Sequence, residues 1–179
     1  MYQRIRFFVF FFLLMFSATG FAAQVDVGSM ADAQVVEGYS SSNYGDKTFM
    51  YVGSATSGFK DERVWVKFDL EGELPPGAVI SSAKLLLYCW KAEGPATIQA
   101  TAHAAQDSWT EDAITWNTQP GFNSSALDSQ TLTAGDGGRW FSWDVTNHVK
   151  TEYNGDGTVS VMVKASPENQ SSPSSYGFD

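Results

Sequence analysis

The stretch Asp107–Pro120, DSWTEDAITWNTQP, places the adjacent acids Glu111 and Asp112 between Trp109 and Trp116. Two carboxylates at a suitable separation cleave glycosidic bonds, one acting as acid and the other as base or nucleophile. Neighbours in sequence usually point apart, so Glu111 or Asp112 would need a partner such as Asp69, Asp136 or Asp144. The same residues also suit a calcium loop or a packed corner of a β-protein. Three oxygen-rich stretches, NYGDK, DSWTED and YNGDG, offer donors for a structural calcium ion, although none has the regular acid spacing of a dedicated loop. Solvated acids in turns are the plainer reading.

Other chemistries are poorly provided for. A hydrolase triad needs a base, and only His103 and His148 are present, with no G-x-S-x-G turn. By strand and helix periodicity both histidines should face outward. Zinc would need a Cys/His cluster, which the sequence lacks. The AGDGG stretch has no lysine or following helix to make a phosphate loop and reads as a turn. Cys89, the single cysteine, sits inside LLLYCW and reads as a small core hydrophobe, so no internal disulfide holds the fold.

These residues must be positioned by strands. VWVKFDL alternates Val64, Val66, Phe68 and Leu70 against Trp65, Lys67 and Asp69. AKLLLYCW is apolar on both faces and predicts a central strand covered on two sides. ATIQATAHA, RWFSWDV and TVSVMVKA alternate likewise, separated by Gly/Pro/Asn/Asp turns. In DVTNHVKTEYN, Val145, Val149 and Tyr153 fall at helical spacing, with Asp144 or Thr146 as cap. The expected fold is an all-β, antiparallel, jelly-roll-like β-sandwich with one short helix. SPENQSSPSSYGFD reads as a polar loop, so either the last strand is missing or the final edge is open.

The N-terminus is of another kind. Basic MYQRIR, apolar FFVFFFLLMF and small-residue SATGFAA follow the order of a secretory signal peptide over residues 1–23, cut after Ala22 or Ala23. An uncleaved membrane anchor is the alternative. The mature domain then spans residues 24–179. Loss of Arg4 and Arg6 leaves nine basic residues against 20 acidic ones, a net charge of −11. Such a surface is unsuited to nucleic acid.

Four segments in order, VVEGYSSSNYGDKTFMYVGS, RVWVKFDLEGELPPGAVISSAKLLLY, DSWTEDAITWNTQP and WFSWDVTNHVKTEYNGDGTVSVMVKA, resemble the DNRLRE domain family. This family is also classed as carbohydrate-binding module family 96 and is related to disaggregatase-type repeats. The resemblance implies a non-catalytic, secreted β-sandwich that binds polysaccharide, in some members alginate, through basic residues and a tyrosine on one surface. Carried over by region, the candidates are Tyr44, Lys47, Tyr51, Lys60, Arg63, Lys67 and Lys84, with Trp65 as a surface stacking residue beside Lys67. Trp90, Trp140 and Tyr88 read as core or inter-sheet filler. The resemblance makes DSWTEDAITWNTQP a structural loop. Trp109, Ile114 and Trp116 anchor it, Thr110 caps a turn starting at Glu111, Asn117 and Gln119 bond backbone groups, and Pro120 ends it.

The expectation is therefore a secreted carbohydrate-binding module for an acidic polysaccharide, without catalysis. Its partners would be the polysaccharide and a polysaccharide-degrading enzyme or cell-surface protein. A structural or adhesive surface module is the alternative, and a small lyase or hydrolase the third reading.

Overall fold

The structure, a computed structural model, describes residues 6–12 and 22–179. The expected signal peptide therefore falls in part on residues 1–5 and 13–21, outside the described residues. Among the described residues eleven strands are formed: β1 Arg6–Phe12, β2 Ala22–Gly28, β3 Ala31–Val36, β4 Met50–Ser54, β5 Glu62–Asp69, β6 Ile80–Glu93, β7 Ile98–Ala105, β8 Phe122–Leu132, β9 Arg139–Asp144, β10 Thr158–Ser166 and β11 Ser174–Phe178. One helix, α1, spans Thr146–Tyr153. All pairings are antiparallel, in the order β2-β1-β6-β11-β4-β5-β10-β7-β8, with β3 added to β5 and β9 to β6.

The path curls at one corner, where β4 meets β5 through the single pair Gly53–Glu62. This folds the sheet into a front layer built on β4-β11-β6-β9 and a back layer built on β3-β5-β10-β7. The alternation seen in the sequence fills the space between them. Val64, Val66 and Phe68 from β5 and Val159, Val161 and Val163 from β10 meet Leu85, Leu87, Cys89, Phe141, Trp143, Tyr176 and Phe178 from the front. Burial of this apolar surface, at roughly 25 cal/mol per Å², is the main driving force for the fold. Cys89 belongs to that core, where burial pushes its thiol up to about 11. A thiolate nucleophile is thereby disfavoured.

The helix forms on the expected face: Val145, Val149 and Tyr153 pack on the core, and Asp144 accepts the Thr146 N–H at 2.9 Å. The Thr146 hydroxyl first, and then this N–H, hold the Asp144 carboxyl below its ordinary value.

Three expectations are corrected. The C-terminal stretch is no open edge, because its YGF residues form β11, inserted between β4 and β6 and paired on both sides. Proline and serine content hid a strand whose Tyr176 and Phe178 are fully buried. Among the described residues no second layer covers the outer face of β6, where Tyr88 is half-buried and Trp90 exposed. The outer face of β5, in contrast, is covered. A second apolar cluster of Ala33, Val35, Trp65, Ala105, Trp109, Ile114 and Met162 lies there, roofed by the 107–120 loop.

Both histidines are buried rather than exposed. His103 places Nδ1 2.9 Å from the Asn123 carbonyl and Nε2 2.9 Å from Thr101 Oγ1, and Nε2 of His148 contacts the Ser160 carbonyl at 2.9 Å. Burial lowers the His103 pKa below its ordinary 6.5. The unfolded chain then binds the proton more tightly, so stability present above that value is lost as the pH falls through it. Urea denaturation between neutral pH and about pH 5 should show this loss. His103→Gln should flatten the slope; an unaltered slope would place its origin elsewhere.

Candidate functional site

The sequence-predicted basic residues do not converge. Lys47 is exposed and pairs with Asp46 at 3.0 Å, and Lys60 faces Glu37 at 3.8 Å. Arg63 is a structural clamp: it donates to both Glu168 oxygens at 2.7 and 2.9 Å and to Gln119 Oε1 at 3.0 Å, with its guanidinium 4.2 Å from the Trp116 ring centre. Lys67 is buried, and its Nζ donates to the Asp107 and Trp109 carbonyls at 2.9 and 2.5 Å. Trp65, the expected surface stacking residue, is 0% exposed, packed edge-on to Trp109 at 6.1 Å. Strand periodicity assigned Trp65 and Lys67 correctly to one face; it carried no information that a loop covers that face. Tyr44 is half-buried in the loop between β3 and β4. Only Tyr51 and Lys84 of the set remain on the open front sheet.

The 107–120 segment is held as a lid. Trp109 and Ile114 are buried, Trp116 half-buried, and the Trp109 Nε1–H donates to Ser160 Oγ at 3.0 Å. Thr110 offers its carbonyl to the N–H groups of Ala113 and Ile114, and its hydroxyl donates to Asp112. Asn43 donates to the carbonyls of Glu111 and Ile114 at 2.8 Å each, and a Cβ at Gly45 would lie 2.0 Å from the Glu111 carbonyl oxygen. The two loops therefore interlock, which explains the glycine. Gln119 donates to the Trp116 carbonyl as expected, whereas the Asn117 side chain donates to the Ser40 and Ser41 hydroxyls rather than to backbone. Pro120 follows at the rim, half-buried, one residue before the Gly121 carbonyl that accepts from Gln106 N–H.

Glu111 accepts the Asp32 N–H at 3.2 Å, and burial followed by the Glu111 charge holds the Asp32 carboxyl above its ordinary value. The carboxylates considered as catalytic partners are engaged in turns: Asp69 accepts Glu71 N–H, Asp136 accepts from Thr133 and pairs with Arg139, and Asp144 serves α1.

Two of the oxygen-rich loops do meet. Carboxylate oxygens of Asp107, Glu152 and Asp156 lie within 4.8 Å of one another, the one such group among the described residues. Burial, and then the Asp107 and Asp156 charges, raise the Glu152 carboxyl, opposed by His148.

What the sequence reading missed is a strip of aromatic rings across the front sheet. Phe49, Tyr51 and Trp90 form a triangle, with ring centres 5.3 Å (Phe49–Trp90), 5.8 Å (Phe49–Tyr51) and 6.1 Å (Tyr51–Trp90) apart. Tyr88, two residues before Trp90 on β6, lies 5.3 Å from its cross-strand partner Trp140. Exposures of 36% for Trp90, 40% for Phe49 and 50% for Trp140 make this a surface, not filler.

Two local devices build it. The β6–β11 register shifts between Gly177 and Phe178, leaving Trp90 as an extra residue between Cys89 and Lys91. The alternation that buries Leu85, Leu87 and Cys89 already points Trp90 outward, and the bulge re-aims Lys91 onto the same face, its Nζ 5.6 Å from the ring centre. Opposite it, Gly177 leaves the space the ring occupies. A Cβ there would lie 2.7 Å from Trp90 Nε1 and 3.0 Å from Tyr51 Cε1. The sequence signals were YCWK and YGF, but neither shows its register alone.

Lys91 is held by Glu93 at 2.7 Å, and Lys84 lies exposed further along β6. Burial chiefly raises the Tyr51 hydroxyl, Lys91 opposes this, and Glu93 and Glu62 add to it. An exposed apolar strip rimmed by polar groups of this kind marks a binding surface.

No curated protein matches the chain. The model of carbohydrate-binding module family 96 matches residues 23–178, which takes in every strand from β3 to β11 and both faces of the sandwich, and the chain belongs to that family.

Proposed function

We propose that the protein is a non-catalytic module that holds a polysaccharide across the front-sheet strip, with sugar rings stacked on Trp90, Phe49, Tyr51 and the Tyr88–Trp140 pair. The exposed strip itself carries this reading. Aromatic faces receive the C–H side of a sugar ring, and the polar rim supplies orientation. Acidic polysaccharides such as alginate are the class implied by the family resemblance. On this surface Lys84, the one lysine of the set expected from the sequence that stands there, is the cation that would meet uronate groups, since Lys91 is already held by Glu93. The protein acts outside the cell in this proposal. Mass spectrometry of the exported form should find its N-terminus at Ala23 or Gln24, a cut that takes β1 out of the sheet from between β2 and β6.

Affinity electrophoresis through alginate, pectin, chondroitin-like polymers and neutral glucans tests the reading. Retardation by alginate that weakens with salt is expected, since exposed ion pairs are screened. Free migration through every polymer overturns the proposal. The runs should be repeated in calcium chloride and in EDTA, with melting measured in each. A calcium-dependent rise in melting temperature, removed by Asp156→Asn, would support a structural calcium at Asp107, Glu152 and Asp156. Identical melting in both would leave that cluster as repelling surface acids.

A structural or adhesive module is the second reading, favoured by β8, an edge strand of eleven residues whose register pairing is to β7 alone. Strand exchange through that edge would appear as a dimer in size-exclusion chromatography, and a monomer would argue against it.

A further inference from the structure

Beyond Tyr51 the strip runs into a groove of about 340 Å³. Its walls are the β4–β5 loop, with Phe59 and Lys60, and the Gly94 and Pro173 turns; Glu62, Glu93 and Ser175 line it between them. The volume is at the lower end of the range for small-ligand sites, about 300–1,000 Å³.

The groove is a built feature. Gly94 adopts a φ of +90°, and a Cβ there would lie 2.3 Å from the Pro173 carbonyl oxygen, so the two turns are locked in contact. Ser174 Oγ ties them further, donating to the Ala96 carbonyl at 2.9 Å and accepting the Ala96 N–H at 3.0 Å. The opposite wall carries Phe59, 57% exposed, with its ring 5.3 Å from that of Tyr39. An exposed ring steadied from behind by another aromatic is a stacking surface.

Between the walls, Glu62 is only 7% exposed yet fixed, accepting from Gln34 Nε2 at 2.6 Å and from Ser175 Oγ at 2.8 Å. Glu93 stands on the neighbouring strand, in register with Ser175. The nearby cations already have partners: Lys60 faces Glu37, and Lys91 faces Glu93. What the groove presents is therefore one aromatic face and two carboxylates, which accept hydrogen bonds and repel anions.

The groove is continuous with the strip. Glu62 and Glu93 are both electrostatic neighbours of Tyr51, and Gly53, two residues along from Tyr51, pairs with Glu62.

We propose that this groove is an end subsite of the polysaccharide site, taking a sugar residue that offers free hydroxyls and disfavouring a carboxylate-bearing residue at that position. Stacking on Phe59 holds the ring, and hydroxyl donors reach Glu62 and Glu93. The inference rests on the strip being the main polysaccharide site, and the test separates the two.

Isothermal titration with oligosaccharides of increasing length that carry a neutral sugar residue at the end is compared for the wild type, Phe59→Ala and Trp90→Ala. Phe59→Ala should lower affinity for long oligosaccharides by about tenfold, the scale of one lost stacking contact, and leave short ones unchanged. Trp90→Ala should weaken every length. Phe59 is exposed, so unchanged melting serves as the folding control. If Phe59→Ala acts equally at all lengths, or at none, the end subsite is overturned while the strip stands. If Trp90→Ala has no effect, the strip is wrong and the subsite falls with it. Glu62→Gln, of the same shape, should raise the affinity for uronate-ended relative to neutral-ended chains by about threefold or more; an unchanged ratio overturns the selection against carboxylate.

Discussion

Trp109→Ala should destabilise the protein by about 3–5 kcal/mol, the cost of removing a buried tryptophan from a packed site. The residue is 6% exposed, and its ring sits edge-on to the fully buried Trp65 at 6.1 Å. Truncation opens a cavity over β5 and leaves Ser160 Oγ without the indole donor it accepts at 3.0 Å. The Lys67 ammonium loses the ring lying 4.6 Å away, and water gains access to a cation whose pKa burial now lowers. Equilibrium urea denaturation, comparing midpoints at constant slope, measures the loss. Polysaccharide binding should survive below the transition, because Trp109 is on the back layer and the strip on the front. A cost under about 1 kcal/mol, the level of an ordinary surface change, would show that the 107–120 lid does not anchor this face.

The opposite pattern is expected of Trp90→Ala. Affinity for the retained polysaccharide should fall by about 10- to 100-fold, the range for one stacking ring, with little change in melting. Trp90 touches Phe49 and Tyr51 on the open side of the sheet, so its removal leaves no cavity in the core. Gly177→Ala is the companion experiment. It removes no ring, but the new Cβ would lie 2.8 Å from Trp90 Cε2, and the indole must move. Both variants should therefore bind more weakly, with the loss for Gly177→Ala arising from misplacement. If Trp90→Ala binds as the wild type does, the strip is not the contact surface.

Much of this molecule could be read from residue types. Val64, Val66 and Phe68 announce an inward face by alternation alone, and so do Val159, Val161 and Val163. Five strands, β5, β6, β7, β9 and β10, and the single helix followed from the same periodicity, whereas β3, β4, β8 and β11 did not. The site was less legible, and the reasons are specific. A period of two says which side chains share a face, but not what lies over that face. Trp65 and Trp90 look alike in sequence, both aromatic within apolar strands. One is covered by a loop more than 40 residues away, through Trp109, and the other is uncovered. The bulge at Trp90 depends on the register with β11, about 90 residues on, so no local pattern encodes it. The basic residues misled for a related reason: a lysine's charge is visible in sequence, whereas the carboxylate or carbonyl that occupies it is not.

The position of β11 has a consequence for assembly. Ser174–Phe178, the last strand in chain order, sits between β4 and β6 and bonds to both. Until those residues have been synthesised, β4 and β6 face each other across a gap one strand wide. Neither the aromatic triangle nor the core around Tyr176 and Phe178 can close. Contacts this distant in sequence form late and slowly, so closure of the front layer waits on the docking of β11.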